Sequence, residues 1–217
     1  MGTLRNITRQ AVLTANTPIA RTRMARATAS LQRPIKLELG GLTPRDGWLI
    51  TNVNALTRNY MDATAAWPFE EGALSYVFTD NMIEHVPLAG GRSLLREAFR
   101  CLRPGGRIRI VTPDLRKHVA LYLEGEAAVT SSVADHYRGM GLTVEHPTDL
   151  ARIPCSEFGH HTGYLYDAAT LTSELYAAGF TDVREYTLGH SDDPELHGID
   201  VRSEETVVQM AIEATRP

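Results

Sequence analysis

The sequence predicts an α/β fold: a central, mostly parallel sheet closed by an antiparallel C-terminal strand pair. Three observations carry this. Four segments of strand length, Ile35–Leu39, Trp48–Val53, Leu74–Phe78 and Arg107–Val111, stand out, Leu74–Phe78 as an apolar run and Arg107–Val111 with apolar residues alternating. Between the last two, Ser93–Leu102 places Leu94, Leu95, Ala98, Phe99 and Leu102 on one helical stripe. The chain then ends in two further strand-like segments, Asp182–Thr187 and Thr206–Ala214.

The size and charge suit one domain. The chain has 217 residues, is 43 % hydrophobic and carries a formal net charge of −4. No run of apolar residues is long enough to span a membrane, and none has the form of a secretory leader. Two cysteines, Cys101 and Cys155, make no disulfide framework and suit a reducing cytoplasm. A pI near 6.1 argues against a partner held mainly through phosphates, so a nucleic-acid partner is not favoured.

Residues 1–34 differ from the rest. They hold Arg5, Arg9, Arg21, Arg23, Arg26 and Arg33 and no acidic residue. Such a composition fits an organellar transit peptide, or a leading helix that covers a cofactor site or pairs with a second subunit as a homodimer. Pro34 favours extended backbone before the first strand.

Strand Ile35–Leu39 ends in Gly40-Gly41, where the chain can turn sharply with no Cβ in the way. Only Leu42–Gly47 separates it from the next strand, although parallel neighbours normally need a crossover of about a dozen residues. After that strand come Asn52 and Asn54, and then Tyr60-Met61-Asp62-Ala63-Thr64. Leu74–Phe78 runs into the polar crossing Thr79-Asp80-Asn81 and then Glu84-His85. Pro104-Gly105-Gly106 stops the next helix ahead of strand Arg107–Val111 and Pro113-Asp114. Strand, helix, strand forms one right-handed βαβ unit, with ligands expected beyond the carboxyl ends of its strands. Asp80, Asn81, Glu84, His85, Pro113 and Asp114 share that rim.

Leu115–Glu124 and Val129–Met140 read as helices, and Gly141–Phe158 as a long polar connection facing substrate. Residues of about 115–167 thus form an insert or lid. Gly159–Asp167 follows, then a helix over Ala168–Ala178 and Gly179-Phe180. The loop Gly189–His197 holds His190, Asp192, Asp193, Glu195 and His197. It reads as turn chemistry or, alternatively, a metal site.

The stretch Pro68-Phe69, Glu84-His85, Arg100-x-Leu-x-Pro-Gly-Gly and Pro113-Asp114 resembles the class I S-adenosylmethionine (SAM)-dependent methyltransferases. It is most similar to small bacterial members that share the short first crossover, and to their Gly-His-x-x-x-Tyr-Asp signature at Gly159–Asp167. The resemblance covers roughly residues 35–214. It implies a Rossmann-like fold with a shortened first crossover over residues 35–217. It also implies SAM as cofactor, held by Glu38, Gly40, Gly41, Asn54, Asp62, Ala63 and Asp80. The subfamily commonly accompanies polysaccharide synthesis, which implies methylation of a hydroxyl of a sugar or oligosaccharide. Alternatives are a small aromatic or RNA-end O-methyltransferase, or a catalytically silent fold acting as a partner subunit. The last is motivated by Leu42 where a second glycine is usual and by Asn54 where an acid is usual.

Asn81-x-x-Glu84-His85 further resembles the Glu-x-x-Glu-His arrangement of metal-dependent O-methyltransferases, completed there by a downstream histidine. The likeness implies a magnesium-type divalent ion on Glu84, His85 and His146, with His160 and His161 close behind. A sugar hydroxyl has a pKa far above neutrality, so an ion on its oxygen would stabilise the charge that develops. Without a metal, His146, His160 or His161 would serve as general base.

Overall fold

A computed structural model of the chain describes residues 2–53, 59–200 and 206–217. Six strands form one sheet in the order β2-β1-β3-β4-β6-β5. They are β1 (Ile35–Leu39), β2 (Trp48–Thr51), β3 (Leu74–Asp80), β4 (Leu102–Pro113), β5 (Thr181–Tyr186) and β6 (Gln209–Thr215). The first four are parallel, while β6 runs antiparallel to both β4 and β5. This is a Rossmann-like, mostly parallel sheet with an antiparallel closing pair. Leu39 pairs with Thr51 across β1 and β2, and residues 40–47 make that return with no helix. The crossover is as short as the sequence indicates.

The helices are α1 (Gly2–Ala29), α2 (Leu88–Cys101), α3 (Leu115–Leu123), α4 (Ser132–Gly139), α5 (Pro147–Ser156) and α6 (Ala168–Ala177). The core lies where β1, β3, β4 and β6 meet the apolar stripe of α2. Leu37, Val77, Leu94, Leu95, Ile110 and Ile212 are all buried there. Cys101 ends α2 within this core, and burial pushes its thiol up to about 12, so it is packing. Helix α1 lays Ala20, Met24 and Thr28 against the body, and the Thr28 hydroxyl donates to the Pro68 carbonyl at 3.2 Å. Among the described residues, no helix is long and apolar enough to cross a membrane.

Three elements depart from the sequence pattern. Helix α2 begins at Leu88 rather than Ser93, running through Gly90 and Gly91. Glycine disfavours helices, but a Cβ at Gly91 would fall 2.3 Å from the hydroxyl of fully buried Tyr166. Packing overrides propensity there. Strand β4 begins at Leu102, which pairs with Leu74 before residues 103–106 bulge and pairing resumes at Tyr76–Arg107. Finally, the connection expected over 141–158 contains helix α5. Pro147 opens it, and the Asp149 carboxylate accepts from the backbone N–H of Glu145 and His146, both at 3.0 Å.

The loop after β5 is tied down from beneath. Fully buried Arg109 on β4 donates Nε and Nη2 to both oxygens of Asp200, at 3.0 and 2.7 Å, and Nη1 to Glu213 at 2.6 Å. Asp193 accepts from the Tyr76 hydroxyl, and Glu195 pairs with Lys36. These carboxylates hold the loop onto the sheet, so the acidic cluster at 189–197 is accounted for by docking.

Candidate active site

Strand order reverses between β1 and β3, with β2 on one side and β4 on the other. Ligands of open α/β sheets enter at such a switch point, beyond the carboxyl ends of the strands. Gly40 turns left-handed there at φ +77° as β1 ends, and half-buried Asp80 closes β3 beside it. A Cβ at Gly40 would fall 2.7 Å from Met82 Cγ, and one at Gly41 2.6 Å from Glu38 Oε1. Glycine is favoured at Gly40 by its left-handed backbone, while a side chain at Gly41 would have to displace Glu38 and Ile50.

The other residues expected to hold cofactor are placed as follows. Buried Glu38 ion-pairs with Arg45 at 3.0 Å. The Asp62 carboxylate accepts from the N–H and hydroxyl of Thr64, closing a turn, and the Ala63 carbonyl accepts from Trp67 Nε1. Asn54 lies outside the described residues. Leu42 is 89 % exposed, on the short loop and away from the core.

Beyond β3 the backbone takes a left-handed step at Asn81, φ +47°, whose N–H donates to the Val111 carbonyl. A single 3₁₀ turn follows, Ile83–His85. It buries Glu84 completely beneath the rim, where the Thr112 hydroxyl of β4 donates to Glu84 Oε2 at 2.9 Å. The signature stretch crosses over this turn. The Tyr164 N–H donates to the Glu84 carbonyl, the Tyr166 carbonyl accepts from the Leu115 N–H that opens α3, and Asp167 caps α6.

That crossing brings His160 to the site. Glu84, His85 and His160 offer ligand atoms that all lie within 4.8 Å of one another, and among the described residues they are the one such group. His160 Nε2 stands 4.0 Å from Glu84 Oε1, and its Nδ1 is 2.8 Å from the Pro154 carbonyl. A carbonyl only accepts, so Nδ1 carries the proton and the neutral ring turns a lone pair toward the carboxylate. Burial lowers the pKa of His160, and burial together with the neighbouring His160 lowers that of His85. Both rings are thus held neutral, the form that ligates metals.

His146 and His161 do not join this group. His146 stands exposed at the start of α5, and the ten residues of that helix span about 15 Å at 1.5 Å per residue. His161 points out of the turn and is exposed.

A cavity of about 220 Å³ opens beside the cluster. Its polar lining is Asn81, Glu84, His85, His118, His136, His160 and Gln209, and its apolar lining includes Val133, Tyr137, Met140, Phe158 and Val208. Asn81 Oδ1, His118 Nδ1 and Gln209 Oε1 are buried with no hydrogen-bond partner in the protein. His118 is 2 % exposed, and burial, then the nearby His160, lower its pKa to about 4. Its role was not legible in the sequence, because His118 looks like any polar residue on an amphipathic helix. The one available signal was its position four residues past the rim aspartate Asp114, one turn into α3.

Comparison with known proteins places this arrangement. Residues 48–110 match the family described as "Methyltransferase domain". No curated protein sequence matches the chain. A solved SAM-dependent methyltransferase from Thermotoga maritima, described as a possible histamine N-methyltransferase, is 15 % identical with a TM-score of 0.52. The similarity covers 98 % of this chain and 97 % of that one. A SAM-dependent methyltransferase from Archaeoglobus fulgidus is also 15 % identical, covering 92 % and 94 %, with a TM-score of 0.47. Phosphoethanolamine N-methyltransferase 2 of Haemonchus contortus, solved with S-adenosylhomocysteine, is 13 % identical, covering 91 % and 52 %, with a TM-score of 0.44. Residues 48–110 thus match a methyltransferase domain, and the chain as a whole shares its fold with the Thermotoga maritima protein.

Proposed function

We propose that the chain is a SAM-dependent methyltransferase that moves the methyl group onto a hydroxyl oxygen of a small acceptor, aided by one divalent ion held by Glu84, His85 and His160. The observation that carries the reading is a buried carboxylate facing the lone pair of a tautomer-fixed imidazole at 4.0 Å. Two electron-rich groups this close, with little water to screen them, repel unless a metal ion or a proton on the imidazole lies between them. The lowered pKa of His160 favours the metal. The donor set fits a metal. Two imidazoles and one carboxylate suit a borderline transition ion better than magnesium, which prefers oxygen ligands.

Such an ion supplies Lewis acidity that lowers the pKa of a hydroxyl placed on it. SAM supplies the electrophilic methyl group, with Gly40, Gly41, Asp62 and Asp80 proposed to hold it at the β1–β3 switch point. The chain's residues do the positioning. Thr112 fixes one oxygen of Glu84 and leaves the other toward His160. Pro154 fixes the His160 tautomer. His118, with its low pKa, is a weak base and serves instead as a neutral hydrogen-bonding partner.

The sugar acceptor implied by the resemblance would place one ring in this cavity of about 220 Å³. Transfer of labelled methyl from SAM to hydroxylated acceptors, with and without chelator, tests the reading. Chelation should stop turnover, and added zinc or manganese should restore it while leaving a Glu84→Gln variant inactive. Turnover indifferent to chelator would overturn the reading.

A further inference from the structure

We propose that the acceptor is a single hydroxylated aromatic ring, with its hydroxyl edge at the Glu84 end of the cavity and its ring among Tyr137, Phe158 and Met140. The inference rests on the oxygen-methylation reading and names its substrate class.

Size comes first. At roughly 30 Å³ per water, a cavity of about 220 Å³ has the volume of about seven waters, enough for one ring with short substituents. Polarity comes second, because the unpartnered polar atoms are few and most of the other lining is apolar. Asn81 Oδ1, His118 Nδ1 and Gln209 Oε1 stand buried without partners in the protein, beside the Glu84 cluster. The remaining lining is mostly apolar, Val133, Tyr137, Met140, Phe158 and Val208, with His136 beside them on α4. A hexose carries hydroxyls around its whole rim, and those turned toward the apolar lining would lose water without gaining partners. A phenol or vicinal diol on an aromatic ring is polar along one edge only, and matches this lining.

The third feature is the aromatic wall. Rings of Tyr137, Phe158, His160 and His85 succeed one another at 6.4, 5.8 and 4.7 Å between centroids, from the apolar lining to the cluster. Phe158 holds a left-handed backbone, φ +59°, unusual for a bulky residue, and is 44 % exposed while lining the cavity. A planar ligand would stack along this series at the spacing aromatic pairs prefer.

The test uses the full chain loaded with zinc and S-adenosylhomocysteine. Catechol, methyl glucopyranoside and benzylamine are titrated by calorimetry, and the same three are offered with methyl-labelled SAM. Catechol should bind saturably and be methylated. Phe158→Ala, exposed and therefore folded, should weaken catechol at least tenfold while zinc affinity stays unchanged. The proposal is overturned if methyl glucopyranoside is bound and methylated in preference to catechol, or if Phe158→Ala leaves catechol affinity unaltered. It is also overturned if catechol fails to bind a protein that takes up zinc. Failure of the underlying reading looks different: catechol methylation that survives in Glu84→Gln would remove the metal role while the Phe158 effect still marks the ring's seat. Preferential methylation of benzylamine would remove both.

Discussion

Gly163 lies directly against the backbone of Glu84: a Cβ on it would fall 1.8 Å from the Glu84 carbonyl oxygen. The neighbouring Tyr164 N–H donates to that same oxygen at 3.1 Å. This contact lets a stretch far along the sequence lay His160 beside Glu84. The clash is with backbone, so nothing flexible can yield. Gly163→Ala should therefore separate the crossing from the 3₁₀ turn. We expect a loss of about 1–3 kcal/mol in urea unfolding and at least a tenfold loss of zinc affinity by calorimetry.

Gly40 makes the corresponding prediction for the cofactor. Its left-handed φ of +77° and the 2.7 Å approach to Met82 Cγ leave no place for a branched side chain at the switch point. Gly40→Val should lower S-adenosylhomocysteine affinity by more than tenfold, measured by calorimetry on protein whose circular dichroism matches the wild type. Unchanged affinity in that folded protein would place the cofactor elsewhere.

The buried ion group on β4 governs stability. Arg109 is fully buried between Asp200 and Glu213. Arg109→Met would leave Asp200 buried without its cation and Glu213 with Arg107 alone, at 3.5 Å, a loss of about 3–5 kcal/mol. Urea unfolding should record a drop of that order. A change below about 1 kcal/mol would mean that water reaches these carboxylates.

Much of this architecture is legible in the sequence, and for physical reasons. Strand β3 is an apolar run buried on both faces and β1 alternates apolar with charged residues, patterns that need no tertiary information. The Glu84-His85 pair is local, so its place on the rim follows from the strand before it. His160 against His146 could not be settled that way. Both lie downstream at comparable spacing, and the choice depends on α5, whose Pro147 and Asp149 start signal was hidden in a polar stretch. Helix α2 was read five residues short, because Gly90 and Gly91 argue against a helix until Tyr166 is seen to need the space. His118 depends wholly on tertiary packing.

His118 also sets a pH dependence in the metal-free protein. Its folded pKa, about 4, lies below the ordinary value of 6.5, so the unfolded chain takes up a proton that the folded chain refuses. This contribution to stability is present near pH 7 and is lost as pH falls toward 4. At 1.36 kcal/mol per unit it reaches about 3 kcal/mol at most. His85 and His160, also lowered, act in the same direction. Thermal melts at pH 8 and pH 5 should show a clear drop in Tm at the lower pH, and His118→Leu should reduce that drop. An equal drop in the variant would mean that His118 is hydrated in the folded state.

The central claim is that Glu84, His85 and His160 hold one ion, and zinc titration by calorimetry tests it most directly. The full chain should bind one equivalent. Glu84→Gln, His85→Ala and His160→Ala should each lose at least tenfold in affinity, while His146→Ala and His161→Ala bind as the wild type does. Wild-type binding in His160→Ala, or loss of binding in His146→Ala, would contradict it.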